Sequence, residues 1–203
     1  MKNPAPRSEN LRRALAQEAA RVMIEQGIRD FLFAKRKAAE RFGVTDSAVL
    51  PKNTEIEAAL REHQRLFGGE AHQDSLQSQR AAACELMQRL AMFQPRLTGP
   101  VLNGTATEHD PVLLHVFADR LESVTLKLMD QGVRFELGEK RIRYGAERIV
   151  QQPCIRVEFD NQPAELVVFG IDGIRQPPVS PVDGKPMRRA DLATVEALML
   201  TTD

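Results

Sequence analysis

Residues 99–117 read GPVLNGTATEHDPVLLHVF, and the reading of this stretch decides the fold. Everything before it is helical in pattern. The chain after it mixes short apolar runs with an amphipathic helix and a hairpin, then ends in a loop and a last helix. Within the stretch, Gly99 and Gly104 free the backbone to bend and to approach a ligand. Asp110 stands just before VLLHVF (112–117), a β-branched apolar run of the length expected for a buried strand.

Working back from residue 99, four helices are expected. In SENLRRALAQEAARVMIEQG, Leu11, Leu15, Val22 and Met23 recur near the helical period, and Gly27 supplies a left-handed end. IRDFLFAKRKAAERFG places Phe31, Ala34, Ala38 and Phe42 on one face. Thr54 followed by Glu57 has the spacing of a capping box, and Ile56, Ala59, Leu60 and Phe67 form the stripe of that third helix up to Gly68-Gly69. The fourth helix is expected from about Ala71 to Phe93, with Leu76, Ala83, Leu86, Leu90 and Phe93 facing inward and Pro95 as stop.

Working forward, 118–132 suits a helix and Val133–Leu137 a strand. CIRVEF (154–159), the turn cluster DNQP (160–163) and AELVVF (164–169) form a hairpin. Residues 171–189 are a proline- and glycine-rich loop, and Asp191 caps a last helix through Leu200. The fold class is α+β. A helical part (1–95) is followed by a small α/β part with a mixed sheet (96–203).

Composition narrows the function classes. The chain has 203 residues, with 28 basic and 28 acidic side chains. The whole chain therefore carries no net attraction for a polyanion, although the basic residues lean to the first half. Two cysteines, Cys84 and Cys154, make neither a disulfide framework nor a zinc site and read as buried thiols. No apolar run reaches 18 residues, and MKNPAPRSEN lacks an apolar signal core, so a cytoplasmic protein is expected. The dinucleotide, Walker, serine-hydrolase and C-x-x-C patterns are absent. His63, His72, His109 and His115 show no metal-binding spacing. His115 reads as a core or sheet-face residue, and His109 as a loop residue.

The stretch 99–117 resembles a degraded signature of the nucleotidyltransferase fold, the superfamily of polymerase-beta-like enzymes. Their motif is Gly-Ser, a spacer containing Arg-Gly, then Ser-Asp-x-Asp-hydrophobic leading into a strand. Gly99-Pro100 stand at Gly-Ser, and Asn103-Gly104 at Arg-Gly. Residues 95–170 are similar to small uncharacterised bacterial members that carry an added helical N-terminal region. Aligned without gaps, the acidic positions fall on Pro111 and Leu113; with one deletion they fall on Asp110 and Val112. Either way the paired carboxylate is missing.

The resemblance implies a nucleotide-binding protein, active or degenerate. In the active form Asp110, Glu108 and Glu165 would hold Mg2+, with Asp110 and Glu165 as catalytic carboxylates. Gly99, Gly104, Thr105 and Lys185 would contact the phosphates, and a nucleoside monophosphate would be transferred. The alternative is a non-catalytic interaction module. Lys35, Arg36, Lys37 and Arg41 lie within two turns of the second helix, where they could meet a nucleic-acid backbone.

Overall fold

The computed structural model describes residues 6–145 and 148–200. The chain forms two compact units. One comprises residues up to Gln73 with Pro181–Asp183; the other comprises Asp74–Ser180 and the chain from Gly184 onward. The division falls after Gln73, within the fourth helix, whereas the change in sequence pattern sets the join at 95–96.

The first unit is helical. It contains α1 (Pro6–Gln26), α2 (Phe31–Arg41) and α3 (Asn53–His63). Its core is Leu15, Ala16, Ala19, Ala20 and Met23 of α1, Ala34 and Ala38 of α2, and Ile56, Ala59 and Leu60 of α3. So many alanines in the seam let the helices approach closely.

Three expectations fail here for local reasons. The first turn of α3 is capped earlier than the pattern implies: Glu55 accepts from the Lys52 backbone N–H at 2.6 Å, and Thr54 and Glu57 do not form the box. Phe67 is 74% exposed instead of completing the apolar stripe. The α-helix ends at His63 and a π-turn, Gln64–Gly68, rotates Phe67 off the buried face. Phe42 succeeds the last residue of α2 as its C-cap and is exposed, so it does not extend the buried face.

The fourth helix, α4 (Gly69–Arg89), belongs to the second unit from Asp74 on and is followed by a 3-10 turn at Ala91–Phe93, so it stops four residues short of the expected end. A mixed sheet comes next: β1 (Arg96–Thr98), β2 (Val112–Phe117), β3 (Phe135–Tyr144), β4 (Arg148–Phe159) and β5 (Gln162–Phe169). The strand order is β1-β2-β5-β4-β3, with β2 and β5 parallel and the other neighbours antiparallel. Between the strands lie α5 (Gly99–Asn103) and α6 (Leu121–Asp130); α7 (Leu192–Leu200) is the last helix. Asp191 caps α7 as expected, accepting from Thr194 N at 3.0 Å. The β4–β5 hairpin forms as expected, but its turn is Asp160–Asn161 alone, both at positive φ in a two-residue hairpin turn, and Gln162 and Pro163 open β5.

The two faces of the sheet differ. Val112, Leu114 and Val116 of β2, Ala164, Leu166 and Val168 of β5, and Ile155 and Val157 of β4 join one core with Leu86, Met87 and Leu90 of the α4 region and Val124 and Leu128 of α6. The alternate residues look the other way. There Phe117, Ile142, Cys154, Val167 and Phe169 form a smaller cluster, with Leu113, Tyr144 and Ile174 at its margin. Pro153 interrupts β4 and has no N–H to give the ladder. The Gln152 side chain bonds across to β5 beside it, donating from Nε2 to the Val168 carbonyl at 2.6 Å.

Candidate functional site

The glycine-bounded loop expected to cradle phosphates is a short helix. Gly99 (φ +73°) and Gly104 (φ +76°) bracket α5, whose Val101 and Leu102 are buried in the core. The Thr105 N–H donates to the Pro100 carbonyl at 3.0 Å, and Thr105 is buried. The apolar α5 side chains thus draw this segment into the core, and it does not form an open cradle.

Asp110 has a structural task. Its Oδ2 accepts from the Thr107 N–H and the Thr107 Oγ1, each at 2.9 Å. Gln79 of α4, almost wholly buried, donates from Nε2 to the Thr107 carbonyl at 2.9 Å and the Asp110 carbonyl at 3.0 Å. The loop leading into β2 is fixed from inside and by its own side chain. Glu108 is exposed, with His109 Nε2 3.7 Å from its Oε1. Lys185 lies in the largely exposed 181–189 segment, where its carbonyl accepts from Ser180 N.

Glu165 stands apart from Asp110. In the parallel register it lies opposite Leu113, three residues beyond Asp110, or about 10 Å along an extended strand. Its carboxylate is hydrogen-bonded to the Lys140 ammonium of β3. Among the described residues no group of three or more His, Cys, Asp or Glu side chains is arranged to hold a metal ion. Asp110, Glu108 and Glu165 are not brought together, and the residues present do not fit a two-ion magnesium site.

The surroundings of Glu165 are only partly legible in the sequence. Arg156 of β4 pairs across the ladder with Glu165 and Glu136, on the same face as Lys140. The Arg156 guanidinium lies over Gly138, where a Cβ would meet Nη1 at 3.1 Å. Glycine at 138 is what makes room for it. The Arg156 side chain forms no hydrogen bond or ion pair with another described residue and is exposed. A cation, a lysine–carboxylate pair and the half-buried Leu113 therefore share one open patch. Nothing in the sequence places Lys140 beside Glu165, because the apolar alternation of β3 ends at Leu137.

The other end of the same face is closed by Arg189. Its Nε donates to His115 Nδ1 at 2.9 Å, and its Nη1 donates to the carbonyls of Gly173 (2.8 Å) and Ile174 (3.2 Å). The guanidinium lies over Phe117 and Phe169, 5.1 and 5.2 Å from the ring centroids. Burial pushes the Arg189 guanidinium down to about 10, so it remains a cation at neutral pH. His115 is buried, as expected. Burial, then the charges of Arg189 and Lys140, hold its imidazole well below its usual 6.5. Accepting at Nδ1 fixes it as the neutral form.

That geometry sets a pH dependence. The unfolded chain takes up a proton at this imidazole near pH 6.5, and the folded chain does so only at lower pH. Stability contributed by neutral His115 is present above pH 6.5 and falls as the pH drops below it, by up to about 1.4 kcal/mol per pH unit. Urea unfolding of the wild type and His115→Gln between pH 8 and 5 should show a steeper acid loss in the wild type. Equal slopes would remove His115 as the cause.

In the first unit, the basic helix is largely engaged at home. Lys37 Nζ donates to Gln26 Oε1 at 2.6 Å and sits over the Phe33 ring. Arg41 pairs with Glu18 at 3.0 Å. Burial lowers the Lys35 ammonium, with Glu55 acting against that. Arg36, with Glu40, Asp46 and Ser47, lines a shallow cleft of about 270 Å³. Both cysteines are buried free thiols, and no helix among the described residues is long and apolar enough to cross a membrane.

No protein-family model, curated protein or solved structure matches this chain.

Proposed function

We propose that the α/β unit is a degenerate nucleotidyltransferase-like module that binds the phosphates of a nucleotide on its open sheet face without metal-dependent transfer. One observation carries this reading. Glu165, on the strand beside β2 where the resemblance puts its third carboxylate, is paired with the Lys140 ammonium, and Arg156 stands next to it with no anionic partner among the described residues. A fixed ammonium beside Glu165 supplies there the positive charge that a metal ion would supply in an active relative. Leu113, at the gapless position of the second aspartate, leaves no ligand for such an ion. An exposed guanidinium is suited to a phosphate, since its planar fork can donate two parallel bonds to one anion.

Thermal unfolding with ATP, CTP, GTP and UTP, each with and without magnesium, tests this. We expect a rise in Tm that does not need magnesium, survives Asp110→Asn and is lost in Arg156→Ala. No rise with any of the four overturns the reading. A rise that needs magnesium and disappears in Asp110→Asn would replace it with an active, metal-dependent site.

A further inference from the structure

β3 is the outer strand of the sheet and ten residues long. Long edge strands present unpaired N–H and C=O groups that can pair with another chain. Two observations fix which groups point outward. The two-residue turn at Asp160–Asn161 makes Phe159 and Gln162 its hydrogen-bonded closing pair, so odd-numbered β4 residues bond to β5 and even-numbered ones to β3. The register of β3 with β4 pairs even with even, so odd-numbered β3 residues direct their backbone outward. Consistent with this, the Arg143 carbonyl accepts from Val179 N at 2.8 Å from outside the ladder. The loop thereby occupies the edge at Arg143. Phe135, Leu137, Glu139 and Arg141 remain as an open row.

We infer that this open segment, 135–141, pairs antiparallel with the same segment of a second copy of the chain. A continuous sheet across a two-fold axis needs a register in which outward residues face outward residues, and with position 143 occupied the register that uses all four is centred on Gly138. There Gly138 faces its own symmetry mate in a non-hydrogen-bonded pair, where the backbones come closest, about 4.5 Å between Cα atoms. Glu136 then faces Lys140 of the other copy on the same side of the sheet, twice by symmetry. On this side of the sheet the charges are thus self-complementary, whereas a centre at Lys140 sets the two Lys140 side chains opposite each other, brings Glu139 opposite Arg141 on the other side, and needs the occupied position 143. Leu137, 57% exposed on the isolated edge, gains neighbours. This inference does not depend on nucleotide binding.

Light scattering on the full chain over a concentration series, together with amide hydrogen exchange, tests it. The expected results are a concentration-dependent dimer and slowed exchange at Leu137, Glu139 and Arg141 on association. Leu137→Pro removes an outward N–H and leaves the β3–β4 ladder intact, and Glu136→Lys sets like charges opposite each other. Both should weaken association at least tenfold while the thermal unfolding remains cooperative. A wild type that stays monomeric up to millimolar concentration overturns the inference, as does a dimer that both substitutions leave unchanged. If Leu137→Pro fails to fold, Glu136→Lys and the exchange pattern decide alone.

Discussion

Replacing Arg189 with alanine is expected to cost the second unit about 3–4 kcal/mol. The residue holds three acceptors at once: His115 Nδ1 and the carbonyls of Gly173 and Ile174. Removing the donor leaves the buried His115 Nδ1 and the Ile174 carbonyl without it, at about 1–3 kcal/mol for a buried group left unsatisfied, while the Gly173 carbonyl still accepts from Gln176 N at 3.2 Å. The contacts with the Phe117 and Phe169 rings add about 1–2 kcal/mol where the cation is desolvated. The gain from returning a partly buried guanidinium to water offsets part of the loss, since Nη2 is buried with no partner among the described residues. Arg189→Lys should recover less than half, because an ammonium cannot reproduce a fork that spans Nε and Nη1. Urea unfolding monitored by circular dichroism measures this. A loss below about 1 kcal/mol would mean that the 171–189 segment is held by something other than Arg189. A double-mutant cycle with His115→Gln should also show coupling, because the two side chains share one hydrogen bond.

The other large effect lies on the opposite face of the sheet. Leu166 of β5 is fully buried, opposite Leu114 in the parallel register and Ile155 in the antiparallel one. Leu166→Ala should cost about 3–4 kcal/mol, the lost transfer free energy plus the cavity that three rigid strands cannot close. The same truncation at Leu137, on the exposed edge, should cost less than about 1 kcal/mol. Chemical denaturation of both variants checks the contrast. Equal losses would contradict the assignment of the helix-covered face as the principal core.

Much of the helical layout is legible because the alanine and leucine spacing of α1, α2 and α4 repeats a single buried face. The β4–β5 hairpin is legible for a similar reason: Ile155, Val157 and Phe159 alternate with Arg156 and Glu158, and Asp160-Asn161 tolerate positive φ. Half of β3 escapes the pattern, because GEKRIRY carries so many charges that it offers no clear apolar period on an edge strand. β1 escapes it because a three-residue strand has no period at all. The candidate site is legible only in outline. Glu165 can be singled out on its own and Arg156 follows from the two-residue turn of the hairpin, whereas Lys140 comes from β3, whose register with the hairpin no local pattern specifies.

The sequence by itself determined where helix gives way to sheet and which residues face the main core. These depend on side-chain size, periodicity and residue identity, which act over a few neighbours. The tertiary structure alone decided that Glu165 pairs with Lys140 and that Arg189 reaches across to His115. Each of these depends on which strand lies beside which, and that is set by the burial of a whole sheet face, not by the preference of any short segment.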